Sequence, residues 1–277
     1  MSPMSSAEEQ LRGGAPAEAL KLLQEQVRSK PQDAKLRVFL FQLLCVLGQW
    51  DRALTQLETA ASLDPSALGM REMYREAIKC ELLRAEVFHG RKSPMVFGEP
   101  ETWLALLIES LLRRGAGENE QADALQSQAF EQAPATAGAI DGKPFGWIAD
   151  ADTRIGPVFE AILNGRYYWV PFERLARVTI EAPADLRDAV WMPAYLQFEN
   201  GGESPALIPT RYPGSESSAD GLIQLARKTV WEEAGPDQYR GFGQRLLTTD
   251  AGDYPLMEVR VIEIGAAQSD TGQAAAG

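Results

Sequence analysis

A glycine, a small residue and a proline recur at fixed intervals along the first third of the chain, and no other feature restricts the fold as much. Gly14/Gly48, Ala19/Ala53, Leu20/Leu54, Leu23/Leu57 and Pro31/Pro65 are each separated by 34 residues, the period of tetratricopeptide helix–turn–helix repeats. In such a repeat the glycine reverses the chain, the alanines let two helices approach closely, and the proline stops the second helix. Gly117, Ala122, Ala129 and Pro134 repeat the intervals of Gly48, Ala53, Ala60 and Pro65 at an offset of 69, so one extra residue enters over two periods.

Residues 5–134 therefore read as a short, irregular helical solenoid. Ser6 with Glu9 forms a capping-box start, Asp33 caps a later helix, and LRVFLFQLLCVL is apolar almost all round, the profile of a helix with neighbours on both sides. Ala53, Leu54, Leu57, Ala60 and Ala61 make one buried stripe. A longer helix is expected over 66–88, with Met70, Met73, Tyr74, Ala77, Ile78 and Leu82 on one face, broken at RKSPMVFGEPE. Stacked hairpins leave a concave surface lined by their first helices. Arg37, Phe41, Leu44, Arg71 and Tyr74 are the candidate groove residues, able to take an extended peptide or an amphipathic helix. The competing reading places Phe41 and Leu44 in the core and the arginines in solvent.

After Gly138 the period changes. GWIADAD, ARVTIEAP, VWMPAYLQF, PALIPTRY, RKTVWEE, QRLLTTD and PLMEVRVIEI are short runs rich in β-branched and aromatic residues, bounded by turn signals. Prolines within several of them favour strand ends, edges and bulges, hence a curved sheet or partial barrel. Asn164–Gly165 fits a hairpin turn between AIL and RYYWV, yet IGPVFEAIL also fits a helix with that pair as its C-cap. A helix over 155–163 is the preferred expectation. The fold class expected is α+β: a repeat-like helical domain over 1–137, a β-rich domain over 138–264, and a disordered tail over 265–277.

Chemistry is sparse. The single histidine, His89, lies at a helix end, where capping is its expected role; no partner for acid–base work is evident. Cys45 and Cys80 sit in helical patterns without metal-ligand spacing and read as core thiols, so neither a disulfide nor a metal site is expected. Asp150 and Asp152 lie on one side of an extended stretch and are able to chelate a divalent cation, with Asp185, Asp188 and Glu160 available to join them. The alternative is a turn in which Asp152 caps a following helix. Arg154, Arg166 and Arg211 accompany Tyr167 and Tyr212, residue types that dominate interface hot spots, and these five complete the candidate partner-binding set; the competing reading, preferred for most of them, is internal cation–π and cross-strand pairing. A formal charge of −12 argues against nucleic acid. Neither an apolar run of bilayer length nor a secretory signal is evident, so no membrane partner and a cytoplasmic location are expected.

Several long stretches carry a family resemblance in the same order: LRVFLFQLLCVLGQWDRALTQLETAASLDP, VFGEPETWLALLIESL, DADTRIGPVFEAILNGRYYWVPF, DLRDAVWMPA and above all LIPTRYPGSE. From about Leu11 to Ile264 the chain resembles the ImpE, or TagJ, family of type VI secretion accessory proteins. The resemblance implies a helical repeat domain joined to an α+β domain, without an established enzymatic activity or a catalytic set to transfer. It also implies as partners the small sheath subunit (TssB-like), bound through its N-terminal helix, and the ClpV-type AAA+ ATPase that disassembles contracted sheaths. A non-enzymatic adaptor without cofactors is the resulting expectation. The alternative is a carboxylate- or metal-dependent enzyme centred on Asp150, Asp152, Arg154 and Arg211.

Overall fold

The computed structural model describes residues 3–235 and 237–265; most of the expected tail lies outside them. Helices α1 (Pro3–Arg12) and α2 (Pro16–Ser29), then α3 (Ala34–Val46) and α4 (Trp50–Leu63), form the two hairpins written in the 34-residue period. Helix α5 (Leu68–Phe88) follows, and α6 (Thr102–Gly115) with α7 (Asn119–Gln132) makes a third hairpin. The reversal glycines Gly14, Gly48 and Gly117 have φ of 76°, 64° and 82°, backbone conformations that only glycine adopts without strain. Asp33 accepts from the backbone N–H groups of Lys35 and Leu36, as its position before α3 predicts. Helix α1 starts at Pro3 rather than at the expected Ser6 cap. On α5 the buried face is Tyr74, Ala77, Ile78, Cys80, Arg84 and Val87, whereas Met73 and Leu82 are about half exposed.

Fourteen strands are described: β1 (Met95–Val96), β2 (Gly138–Ile140), β3 (Lys143–Phe145), β4 (Ile148–Asp150), β5 (Val158–Leu163), β6 (Arg166–Pro171), β7 (Leu175–Ile180), β8 (Trp191–Phe198), β9 (Glu203–Pro209), β10 (Thr229–Gly235), β11 (Gln238–Gly243), β12 (Leu246–Thr249), β13 (Gly252–Pro255) and β14 (Val261–Ile264). Nine of them form one open sheet in the order β1-β6-β5-β9-β8-β7-β14-β2-β3; β10 pairs with β11, and β4 joins β12 and β13. Each of the seven stretches read as strands contains one, and a short helix, α8 (Gly221–Gln224), precedes β10. Pro193 lies within an interior strand, contrary to the edge rule. Its carbonyl accepts from the N–H of Glu181, just past the end of β7, so its missing N–H faces the place where that ladder stops.

The helix expected over 155–163 is a strand. Val158–Leu163 is buried at all six positions, pairs with β6, and turns through Asn164 (φ 49°) and Gly165 (φ 73°). A strand covered on both faces shows no alternation, which is why its pattern read as helical. Val158 and Ile162 face a core shared with the helices, in which Phe41, Tyr74, Ile78, Trp169, Trp191 and Tyr212 also take part. Phe159, Ala161 and Leu163 face a second core with Val178, Met192, Ile208 and Ile262, formed as the sheet curls over itself. Strand β1 comes from the α5–α6 connection, read only as a helix break, and runs parallel to β6 while Phe97 stacks on Phe198 at 4.0 Å.

The α5 and α6 C-termini meet backbone to backbone. A Cβ at Gly115 would lie 2.4 Å from the His89 carbonyl oxygen. Helix propensity alone predicts that Gly115→Ala stabilises α6; the crossing predicts a loss of about 1–3 kcal/mol from overpacking. At Gly69, where a Cβ would meet nothing within 4 Å, Gly69→Ala should gain about 0.5 kcal/mol. Urea denaturation of both variants gives the opposite signs directly.

Candidate partner-binding site

The interface between helices and sheet is built around charge. Arg84 of α5 reaches Glu160 of β5 through Nε at 2.6 Å and Nη2 at 2.9 Å, and donates to the Arg211 carbonyl at 3.1 Å. Tyr167 donates to the same carboxylate, and Trp169 Nε1 donates to the Tyr167 hydroxyl at 2.7 Å. Arg245 donates to Asp150 Oδ2 from Nε at 2.9 Å and Nη2 at 2.8 Å, and its Nη1 lies 3.4 Å from Glu160. Tyr212 donates to Asp150 Oδ1 at 3.0 Å. Arg211 sits on the C-terminus of α3, donating to the carbonyls of Cys45 at 3.0 Å and Val46 at 2.6 Å, where a cation satisfies the end carbonyls and opposes the helix dipole.

This arrangement buries most of the expected binding set inside the molecule. Phe41, Leu44, Tyr74, Tyr167, Arg211 and Tyr212 are all at most 3% exposed, because the β-rich half fills the concavity that the repeats would otherwise present. Tyr74 packs between Phe41 and Trp191, each at 5.7 Å. Arg37 bonds the Pro31 carbonyl and Gln56, and Arg71 pairs with Glu58 and Glu72 on the α4 side. Arg154 is held by Asp152 and lies over the Phe88 ring at 5.0 Å. Arg166 alone of the C-terminal set is exposed.

The carboxylates do not converge on a cation site. Asp150 belongs to Arg245 and Tyr212; Asp152 accepts from Arg154 and the Gly241 N–H within a turn, and no helix follows it. Asp185 and Asp188 form a capping box of their own around 186–189. Among the described residues no group of three or more potential ligands is placed to hold a metal. His89 ends α5, its Nδ1 2.6 Å from the Ala85 carbonyl, and both cysteines are buried and free.

A groove of about 590 Å³ lies between α1, α3 and the 183–186 segment. On α3 it is lined by Lys35, Val38, Phe39 and Gln42, the face opposite to Arg37, Phe41 and Leu44; Leu11, Leu186 and Met257 complete the apolar lining, and the charged residues Glu8, Arg12, Asp185 and Arg227 also line it. Sequence reasoning missed these residues because α3 is apolar all round, so periodicity cannot say which face a second domain covers.

Glu160 and Asp150 pull the pH response in opposite directions. Burial alone would raise Glu160; Arg84 and then Arg245, with hydrogen bonds from Arg84 and Tyr167, outweigh it and hold the carboxyl at about 2 against an ordinary 4.5. A depressed folded pKa contributes stability present above the unfolded value and lost as pH falls towards the folded one. Asp150 goes the other way, pushed by burial from 3.8 to about 6, with Arg245 opposing and Asp152 adding to the rise. Its contribution is present at low pH and is lost as pH rises through the folded value. The expected stability profile thus rises from about pH 2 to 4.5 and loses part of that gain towards pH 6; Glu160→Gln removes the first leg and Asp150→Asn the second. Arg84→Ala should cost about 3–5 kcal/mol by stranding a buried carboxylate, a loss that Arg84→Met/Glu160→Met largely avoids. Denaturant titrations across pH measure all four.

Comparisons with known proteins agree with this architecture. The family model described as ImpE protein matches residues 142–263, and a tetratricopeptide repeat model matches residues 10–69. A crystal structure of a Vibrio parahaemolyticus protein superposes with a TM-score of 0.85 at 26% identity, covering 94% of this chain and 97% of the other. The type VI secretion system accessory component TagJ of Pseudomonas aeruginosa is 51% identical over 257 residues, 93% of this chain and 90% of the relative. With identity of that order running through both the helical array and the sheet, the chain belongs to the TagJ/ImpE family of type VI secretion system accessory components.

Proposed function

We propose that this protein is a non-enzymatic, cytoplasmic adaptor of the type VI secretion system, which binds the small sheath subunit through that subunit's N-terminal helix and assists sheath disassembly with the AAA+ ATPase. The observation that carries this reading is the groove on α1 and α3. It has an apolar lining of Leu11, Val38, Phe39 and Leu186 and charges of both signs beside it, the form that takes an amphipathic helix by two or three large side chains while the charges set orientation. Family membership supplies the secretion context. The engagement of Asp150, Asp152, Arg154 and Arg211 in internal pairs supports a binding role over the carboxylate-centred enzyme. No helix among the described residues is long and apolar enough to cross a membrane. Modest affinity suffices for such a role, because many sheath subunits lie side by side and avidity multiplies each contact.

The test is co-purification of this protein with the sheath subunit, intact or lacking its N-terminal helix. Recovery should require the helix, and Val38→Glu should weaken it by about 2 kcal/mol, a hot-spot loss, with thermal stability unchanged. Equal recovery with the intact and the shortened sheath subunit would refute the reading.

A further inference from the structure

A second recess, which shares no lining residue with that groove, opens where the end of α7 meets the small β4/β12/β13 sheet. It encloses about 400 Å³ between Phe130, Pro134, Trp147, Ile148, Ala149 and Pro157. Two large aromatics stay partly in water there, Phe130 at 37% and Trp147 at 41% exposure. Neither is loosely placed. Phe130 lies on Gly156, where φ is 54° and a Cβ would come within 2.6 Å of the ring, so only glycine lets the wall stand. Trp147 follows Gly146, whose N–H donates to Asp250 Oδ1 at 2.7 Å. The Trp147 indole N–H donates to none of the described residues, leaving a polar handle beside an apolar face.

Charge identifies the visitor. Among the described residues no lysine or arginine lines the recess. The exposed carboxylates positioned beside it are Asp250 at the Gly146 N–H and Asp253 across the ladder from Thr248. We infer that this recess is a docking site for an extended, basic segment of a partner protein, which inserts a proline or leucine between Phe130 and Trp147 and sets lysine or arginine against Asp250 and Asp253. Rigid aromatic and proline walls suit an extended chain with little entropy left to lose, the mode by which aromatic-lined grooves take polyproline segments. The site shares no residue with the α1/α3 groove, so an adaptor has room for two partners at once.

The test uses the full chain labelled with 5-fluorotryptophan, the Trp147 resonance being assigned from Trp147→Phe. The probes are three capped peptides: Pro-Leu-Pro flanked by lysine pairs, the same centre flanked by glutamate pairs, and Gly-Ser-Gly flanked by lysine pairs. The first should shift the Trp147 signal saturably at millimolar or lower concentration, more weakly at high salt, and several-fold more weakly with Asp250→Asn/Asp253→Asn. An equal response to either control peptide, or no movement of that resonance with any of them, overturns the inference. A sheath-binding failure leaves this outcome untouched, since neither peptide nor recess involves α1 or α3.

Discussion

Glu160 sits on a strand buried along its whole length, and that is tolerable only because Arg84 reaches it from a helix of the other half. A lone carboxylate in such a place would be neutralised or expelled; here two guanidiniums and a phenol hold it charged. Buried ion pairs add little net stability, since desolvation offsets most of the attraction, but they punish misplacement heavily. Apolar surfaces would let the sheet slide or rotate over the repeats. The Arg84–Glu160 contact, with Arg211 on the last carbonyls of α3, permits one register between them.

That register determines which surfaces remain for partners. A repeat array of this size ordinarily offers its concave face to another chain; in this molecule the other chain is its own C-terminal half. Trp191 and Tyr212 lie where a ligand would, and the 186–189 turn leans on α3. The intramolecular occupant leaves a groove on α1 and α3 uncovered, and the proposed helix-binding role rests on it.

The helices were legible in the sequence because their signal is local: a glycine that must be left-handed, alanines that must be small, a proline that cannot continue. The strands with one solvated face were legible for the same reason, as with Val178 and Ile180 alternating along β7. The rest depended on tertiary context. Val158–Leu163 carries no alternation because both faces are covered, and Met95–Val96 is too short to have a period. Asp150, Asp152 and Arg154 stand together in the sequence, but the arginine that holds Asp150 arrives from 245, a convergence that spacing alone does not encode. The hot-spot types Arg211 and Tyr212 were noticed as interface residues, and they are, at an interface internal to the chain.

The two-residue strand Met95–Val96 has a bearing on how the chain comes off the ribosome. It must wait for residues 166–171 before it has any hydrogen-bonding neighbour, just as Arg84 must wait for Glu160. Through that interval Arg84 has only Glu81 of its own helix as a partner, and core aromatics such as Phe41 and Tyr74 lack the sheet side of their packing. Half-made molecules with sticky faces are what chaperones attend to. A message truncated after the repeats would therefore yield an aggregation-prone fragment, and the ordering of the gene makes the late-emerging sheet the lid that renders the early helices safe.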